Sequence, residues 1–505
     1  MAAGVWKLNY QYLIIAVEPW EIKLAIELAR NIADAQAIKL IVADHYTPFF
    51  QKNFLQNLKI PSGTQLVTME EEYNSWQFKR YSDFNLKKIE FWEKEICKQR
   101  NLNQIMNSHQ GLNGYENKAT YLPMSNSWKQ KIYYDYLNFT EGLFLNGGPY
   151  RVIAISRRSF LSNLIWEYSR YLGFEYLTIT QSRIGNRLIV REDFGYGMEV
   201  QHLAKIKMKE PSQEANNFVA ELETRNFLYK SWTNLKIEEL INQSNKPFNA
   251  FYSEFKIALR RALVRFVFEY PQRRGKIKRL GESLVKLSIY EINKSFRRLI
   301  LRVFRDHFFE TSLPDREFFA WFLHARPEDS TLVLGDGEDE VQKLFDLAKE
   351  LKPDQGVVVK ENAQMYGARP LRFYLNLKNR GIFLLEPTHN NQEIFSRMAG
   401  VVGVSGTVLL ESKLLGFNSY ALGSPEFIRV LDNETYSSLR EFLIKAPNLK
   451  STNEVAIQYV TWVLNQAPDD HIAFEDKWES PKGKVTLNSI LFQISEYWPK
   501  YQVST

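Results

Sequence analysis

VVGVSGTVLLESKLLGFNSYAL, residues 401–422, is the stretch on which the reading of the fold turns. Val401–Val404 is a short apolar run of the kind that forms a strand buried on both faces. Ser405-Gly406-Thr407 follows, and Thr407–Leu415 carries a helical pattern that Gly416 stops. Ser419–Leu422 is a second short strand. A strand, a helix and another strand in so few residues form a βαβ unit, and its crossover makes the strand pair parallel. The turn also has chemistry in it. Gly406 lets the backbone approach an anion closely, the helix N-terminus offers N–H groups and a positive partial charge, and Ser405 and Thr407 add hydroxyls. Glu411 lies four residues beyond Thr407, on roughly the same helix face, where a carboxylate can accept from two ribose hydroxyls. A plainer alternative is that Thr407 simply caps a buried helix.

The alternation extends outward in both directions. Upstream lie a strand at Phe318–His324, a helix at Val341–Leu351 ending before Pro353, and a strand at Gly356–Lys360. Then come a helix at Leu371–Lys378, a strand at Ile382–Leu385 and a short helix at Ile394–Met398. Short apolar strands alternating with helices predict a doubly wound sheet. Near the start of the chain the same grammar appears in Tyr12–Val17, Trp20–Ala33 and Ile38–Ala43, and again in Tyr150–Ser156, Phe160–Leu172 and Phe174–Thr180, with Arg187–Arg191 a further strand candidate. The fold class expected is therefore α/β, with two Rossmann-like domains and a helical, basic insertion between them. The expected boundaries are 1–245 for the N-terminal domain on the acceptor side, 246–312 for the basic segment and 313–480 for the C-terminal domain. Residues 481–505 are expected as a helix packing back on the first domain. Residues 53–146, rich in Asn, Gln, Lys and aromatics, show no clear period.

Two further segments carry chemistry. In VVVKENAQMYGAR, residues 357–369, Lys360 and Glu361 project near a strand's C-terminal end, where a Lys can neutralise a phosphate; a solvated loop pair is the alternative. In FLHARPEDSTLVLG, residues 322–335, His324, Arg326, Glu328 and Asp329 cluster after a strand. Such a group can support acid–base work or hold a sugar, or Asp329 or Ser330 can cap something local. Asp336–Glu340 (DGEDE) resembles a metal-binding cluster, but reads better as acids for the first turn of the following helix. No metal site is expected.

In this order the three segments resemble the C-terminal part of the capsular polysaccharide synthesis glycosyltransferases, relatives of bacterial Kdo transferases. The family pattern runs H-x-Q-P-E-x-x-T, then V-K-E-H-P with a later R and Y, then G-T-x-x-x-E followed by G-x-P. Matching residues are His324, Pro327, Glu328 and Thr331; Val359, Lys360, Glu361, Arg369 and Tyr374; and Gly406, Thr407, Glu411 and Gly416. The resemblance spans Phe318 to Pro425, about a fifth of the chain. It implies a GT-B glycosyltransferase, with a nucleotide sugar as substrate and no cofactor. Lys360, Arg369 and Ser405–Thr407 would bind the nucleotide sugar, Glu411 its ribose, and Glu328 and His324 would be catalytic. The family's His-Pro after Lys-Glu is Asn362-Ala363 here; Asn362 can donate a hydrogen bond but carries no charge. Arg326 replaces the family Gln and Asn418 the family Pro. A CMP-, UDP- or GDP-sugar donor stays open. So do two other functions: a sugar-nucleotide epimerase of the same architecture, or a non-catalytic scaffold at a membrane.

The chain's 505 residues suit two or three domains, and 45% hydrophobic with 24% charged residues excludes a disordered chain. Cys97 is the only cysteine, so neither an internal disulfide nor a Cys-based metal site can form. No signal-peptide pattern opens the chain, and no apolar run reaches the roughly 18 residues of a membrane span. The expectation is a cytoplasmic protein, peripheral on the inner face of the plasma membrane. The formal charge of +7 is unevenly placed. From Lys256 to Arg305 fifteen Lys and Arg meet three Glu, a local net of +12. On a helical wheel the basic residues from Lys286 to Arg305 fill one arc, while Ile292, Phe296, Leu299, Ile300 and Val303 fill the other. Arg297, Arg298 and Arg302 are therefore expected to bind an anionic membrane, near which a saccharide or lipid-linked acceptor enters. A solvated bundle face is the alternative. Nucleic acid is not expected as a partner, because no recognition motif accompanies the charge.

Overall fold

The computed structural model describes residues 10–498 apart from 43–57, 69–85, 99–125 other than Leu102, 146–149, 156–158, 193–209, 225–236, 268–277, 325–339, 449–451, 467–479 and some isolated positions. The chain divides into two units. One comprises residues 1–115, 123–194 and 462–505; the other comprises 116–122 and 195–461.

The first unit holds a six-stranded sheet of β1 (Tyr10–Ala16), β2 (Ala35–Val42), β3 (Thr64–Thr68), β4 (Tyr150–Ile155), β5 (Glu175–Gln181) and β6 (Leu188–Arg191). Their order is β3-β2-β1-β4-β5-β6, parallel except for β6, which runs antiparallel to β5. α1 (Pro19–Asn31) links β1 to β2, and α2 (Phe160–Leu172) links β4 to β5. Ser159 caps α2 by accepting from the Ser162 N–H, and Gly173, at φ 71°, ends it in the left-handed conformation. The central strands carry buried apolar runs, Tyr12–Ala16 and Val152–Ile155, because both faces of the sheet are covered there. The C-terminal helix of the chain supplies part of that cover: its Leu487, Ile490, Leu491, Ile494 and Trp498 share a core with β1, β2 and α1.

Besides a helix at Gln213–Thr224, the second unit has two longer ones, α3 (Pro247–Val264) and α4 (Lys278–Val303), packed against each other. They belong to this unit together with residues 195–245, so the segment expected as a separate insertion is built into the second unit. Its sheet comprises β7 (Glu317–Phe322), β8 (Gln355–Lys360), β9 (Phe383–Leu385), β10 (Gly400–Gly403) and β11 (Ser419–Ala421). Among them run α5 (Glu340–Glu350), α6 (Leu371–Asn379), α7 (Asn391–Arg397) and α8 (Thr407–Leu414). The C-terminal helix, α9 (Pro481–Tyr497), completes the elements used below.

The second sheet is parallel throughout, in the order β11-β10-β7-β8-β9. Counted from β7, that is the doubly wound order 3-2-1-4-5, and the first sheet has the same order with one strand added. The winding direction reverses between β7 and β10. In such sheets the crevice for ligands opens outside the carboxyl ends of the two strands that flank the reversal. In the second unit those ends lead into His324 and into Ser405-Gly406-Thr407.

Candidate functional site

His324 follows the carboxyl end of β7. Its ring is buried, and Nδ1 lies 2.7 Å from Oε1 of Glu340, the first residue of α5. The same oxygen accepts the His324 backbone N–H at 3.0 Å and the Trp321 indole N–H at 3.4 Å. With Nδ1–H given to a carboxylate, Nε2 is the ring's outward nitrogen. Among the described residues no side chain or backbone group bonds it, although it is buried. Buried polar atoms are nearly always satisfied, so an orphaned nitrogen points to something that binds there.

What Nε2 faces is the start of α8. Gly406 is the N-cap of that helix, in extended conformation, and no side chain caps the first turn. A methyl group placed on Gly406 would stand 3.0 Å from Nε2. Glycine is thus what allows the helix N-terminus and the imidazole to come together. The plainer sequence alternative, Thr407 as the cap, does not hold: Thr407 is the first helical residue. α8 is fixed from beneath by buried Lys413, whose Nζ is 2.5 Å from Oδ1 of Asp432. Asp432 in turn accepts the Ser419 N–H at 2.7 Å. Ser405 is buried at the end of β10, and Glu411 is buried on α8.

Lys360 closes β8, the strand beside β7. Its ammonium donates to the His389 carbonyl and to Oδ1 of Asn391, each at 2.5 Å. Burial pushes its pKa down to about 7, against which the nearby Glu411 carboxylate acts in the opposite sense. Lys360 and Glu411 are therefore near enough to interact electrostatically. Among the described residues two acceptors take two of the three ammonium donors.

The second motif behaves differently from its sequence expectation. Arg369 is 1% exposed. Its Nε lies 3.1–3.2 Å from the two Glu361 oxygens and its Nη2 donates to the His324 carbonyl at 2.7 Å, while the guanidinium stacks 4.9 Å from the Phe373 ring. As a correction, Arg369 supports His324 from behind instead of reaching a ligand, because an interior guanidinium is stable only when its donors are matched. Asn362 is half-buried and closes a turn: its Oδ1 accepts the Gln364 N–H at 2.9 Å, and its own N–H donates to Glu361 at 2.7 Å.

The basic arc of α4 also needs correction. Arg297, Arg298 and Arg302 were expected to face a membrane, and they face the interior of their unit. Arg298 donates to the Tyr366 carbonyl at 2.9 Å and Arg297 to the Ala368 carbonyl at 3.1 Å, with Tyr290 and Lys294 adding bonds of 3.4 Å to Ala368 and Gln364. Glu254 of α3 pairs with Arg298 at 3.0 Å and with Arg302 at 2.9 Å. Charge on a helix face does not fix which way it turns; a row of backbone carbonyls and one carboxylate is as good a partner as water when the geometry fits.

Glu328, with Arg326, Pro327, Asp329 and Thr331, lies outside the described residues. Three participants were missed in the sequence. Glu340 was read only as an acid of a helix start, Asn391 holds Lys360, and Glu254 neutralises α4. Their only signal is position: Glu340 and Asn391 each open a helix after a strand. Among the described residues no group of three or more His, Cys, Asp or Glu is arranged to hold a metal ion.

No protein-family model matches this chain, and no curated protein matches it. Solved structures similar to it include KpsC, a beta Kdo 2,4 transferase of Thermosulfurimonas dismutans, at 15% identity over 55% of this chain and 70% of that one, with a TM-score of 0.25. A UDP-GlcNAc 2-epimerase from Neisseria meningitidis, bound to UDP-GlcNAc, is 11% identical over 90% of this chain and 99% of that one, with a TM-score of 0.19. A variant of the wall teichoic acid polymerase TagF is 9% identical over 97% and 91%, with a TM-score of 0.19.

Proposed function

We propose that the second unit binds a nucleotide sugar and that the protein transfers the sugar to an acceptor. The observation that carries the reading is the meeting of His324 Nε2 with the uncapped start of α8 at the reversal point of the sheet. An imidazole backed by a carboxylate, a helix N-terminus and a lysine form a receptor for phosphate oxygens. Glu411 suits the hydroxyls of the attached ribose.

In the transfer, the bond between the sugar's anomeric carbon and the phosphate oxygen breaks, and a bond from that carbon to an acceptor oxygen forms. The leaving phosphate gains negative charge as the bond breaks. Donors already fixed in place stabilise that charge without reorganising, which is how such sites lower a barrier. The reading assigns this task to α8, His324 and Lys360 and calls for no metal. The acceptor's hydroxyl proton goes to a carboxylate, for which Glu328 is the proposed base. The acceptor we propose is a growing surface polysaccharide or glycolipid, presented at the inner face of the plasma membrane.

A thermal-shift screen against CMP-, UDP- and GDP-sugars tests the binding step, since a ligand of the native state raises its melting temperature. One nucleotide class is expected to raise it, and Gly406→Ala and Glu411→Gln are expected to abolish the rise. Glycosyl transfer that survives both substitutions overturns the site assignment. Epimerisation of a free sugar nucleotide without acceptor would instead make the protein an epimerase.

A further inference from the structure

With the basic arc of α4 turned inward, its apolar arc is turned out. Ile289, Phe296 and Val303 recur every seven residues and all are exposed, Phe296 at 46%. On α3 the residues Phe248, Tyr252, Leu259 and Leu263 follow helical spacing and are exposed as well, Tyr252 at 68% and Leu263 at 56%, and Phe266 just beyond the helix is also exposed. The two stripes are neighbours: the Phe296 ring lies 5.0 Å from Phe251 and 5.8 Å from Phe255. The result is one continuous apolar surface across two packed helices. A patch of this size on a folded protein marks something that covers it.

The charges beside it say what. The exposed charged side chains of α3 are Lys256, Arg260 and Arg261, all basic. The helix's one carboxylate, Glu254, is enclosed with Arg298 and Arg302. Arg261 keeps 61% of its side chain exposed, with Glu291 of α4 at 3.8 Å. An apolar stripe flanked by cations matches the boundary between acyl chains and anionic headgroups. A second copy of the chain fits less well, since a two-fold contact would bring the basic residues of both copies into one interface. Among the described residues no helix is long and apolar enough to cross a membrane, so a surface that lies in the interface is the arrangement this pattern permits.

We infer that α3 and the outward stripe of α4 dock the protein on an anionic lipid bilayer, with the apolar residues entering the headgroup layer and Lys256 and Arg260 meeting lipid phosphates. The inference deepens the reading of a membrane-presented acceptor, but it stands on a different surface from the sugar-nucleotide site. Vesicle binding and nucleotide binding therefore fail separately.

The test is flotation of the 505-residue chain with vesicles of phosphatidylcholine alone and of phosphatidylcholine with phosphatidylglycerol. The chain is expected to float with the anionic vesicles and to lose most of that binding in pure phosphatidylcholine. The double variant Leu259→Glu with Leu263→Glu is expected to bind at least roughly tenfold more weakly. Lys256→Glu with Arg260→Glu is expected to weaken binding and its dependence on salt together. All four positions are exposed, so circular dichroism and the nucleotide-sugar thermal shift should match those of the unchanged protein. Wild-type chain that stays with the unbound fraction overturns the inference, as do variants that float unchanged. A concentration-dependent dimer that L259E/L263E dissolves, without vesicle binding by either form, would assign the surface to a second copy and overturn it too.

Discussion

Burial holds the Lys360 ammonium to a pKa of about 7, and this makes the residue a reporter for its surroundings. In the unfolded chain a lysine titrates near 10.5, so between those values the unfolded state binds more protons than the folded one. Stability from this group therefore rises as pH is raised from about 7 towards 10.5. Urea unfolding at about pH 7.5 and pH 9.5 should show a slope of a few kcal/mol in total, and Lys360→Met should flatten it. If a phosphate binds beside Lys360, the ammonium regains its proton. Calorimetry above neutral pH, in two buffers of different ionisation enthalpy, should then register proton uptake that K360M does not show. The residue types were legible in order, and two pairs of them meet: His324 with Gly406, and Lys360 with Glu411. Their partners were not legible. Glu340 sits sixteen residues from His324, and nothing in the local sequence ties them; only the return of the chain through α5 does.

At the scale of elements, α3 and α4 are joined by a buried junction whose removal has a definite cost. Among the described residues Glu254 is the carboxylate paired with both Arg298 and Arg302, whose side chains are 9% and 3% exposed. Glu254→Ala leaves two enclosed cations without a counter-charge and should destabilise the second unit by about 3–5 kcal/mol, read from denaturant unfolding. Adding Arg302→Met should restore part of the loss, a recovery that a merely packing role would not give. The strands and helices of both sheets were readable to within a few residues, because apolar runs buried on both faces have no competing explanation: Phe160–Leu172 is the helix expected, and Gln355–Lys360 the strand. β3 escaped because only Leu66 and Val67 of Thr64–Thr68 are apolar, adjacent and without alternation, in a stretch without period. α4 was read with its faces reversed. A basic arc and an apolar arc define two sides of a helix, but which side is inside depends on what the neighbours offer, and here they offer carbonyls of the Gln364–Ala368 loop.

On the scale of the molecule, the two units have separate cores, and the chain passes from the first to the second and returns. The last helix, α9, completes the core of the first unit. Leu491→Ala and Ile494→Ala should each destabilise that unit by about 2–5 kcal/mol, since both side chains are almost fully buried. Neither substitution touches the second sheet. The thermal response to a nucleotide sugar, measured on the transition of the second unit, should survive both.

Gly367 sits at φ 71°, and a methyl group placed on it would come within 2.4 Å of Arg298 Cγ. The loop that carries Asn362 is thus gripped along its carbonyls and leaves no space at its tightest point. Its disorder is given up when the chain folds, not when a ligand arrives. A ligand that contacts this loop would keep the affinity that ordering a mobile segment consumes, and its association should proceed at one rate, without a slow phase for the loop to find its shape.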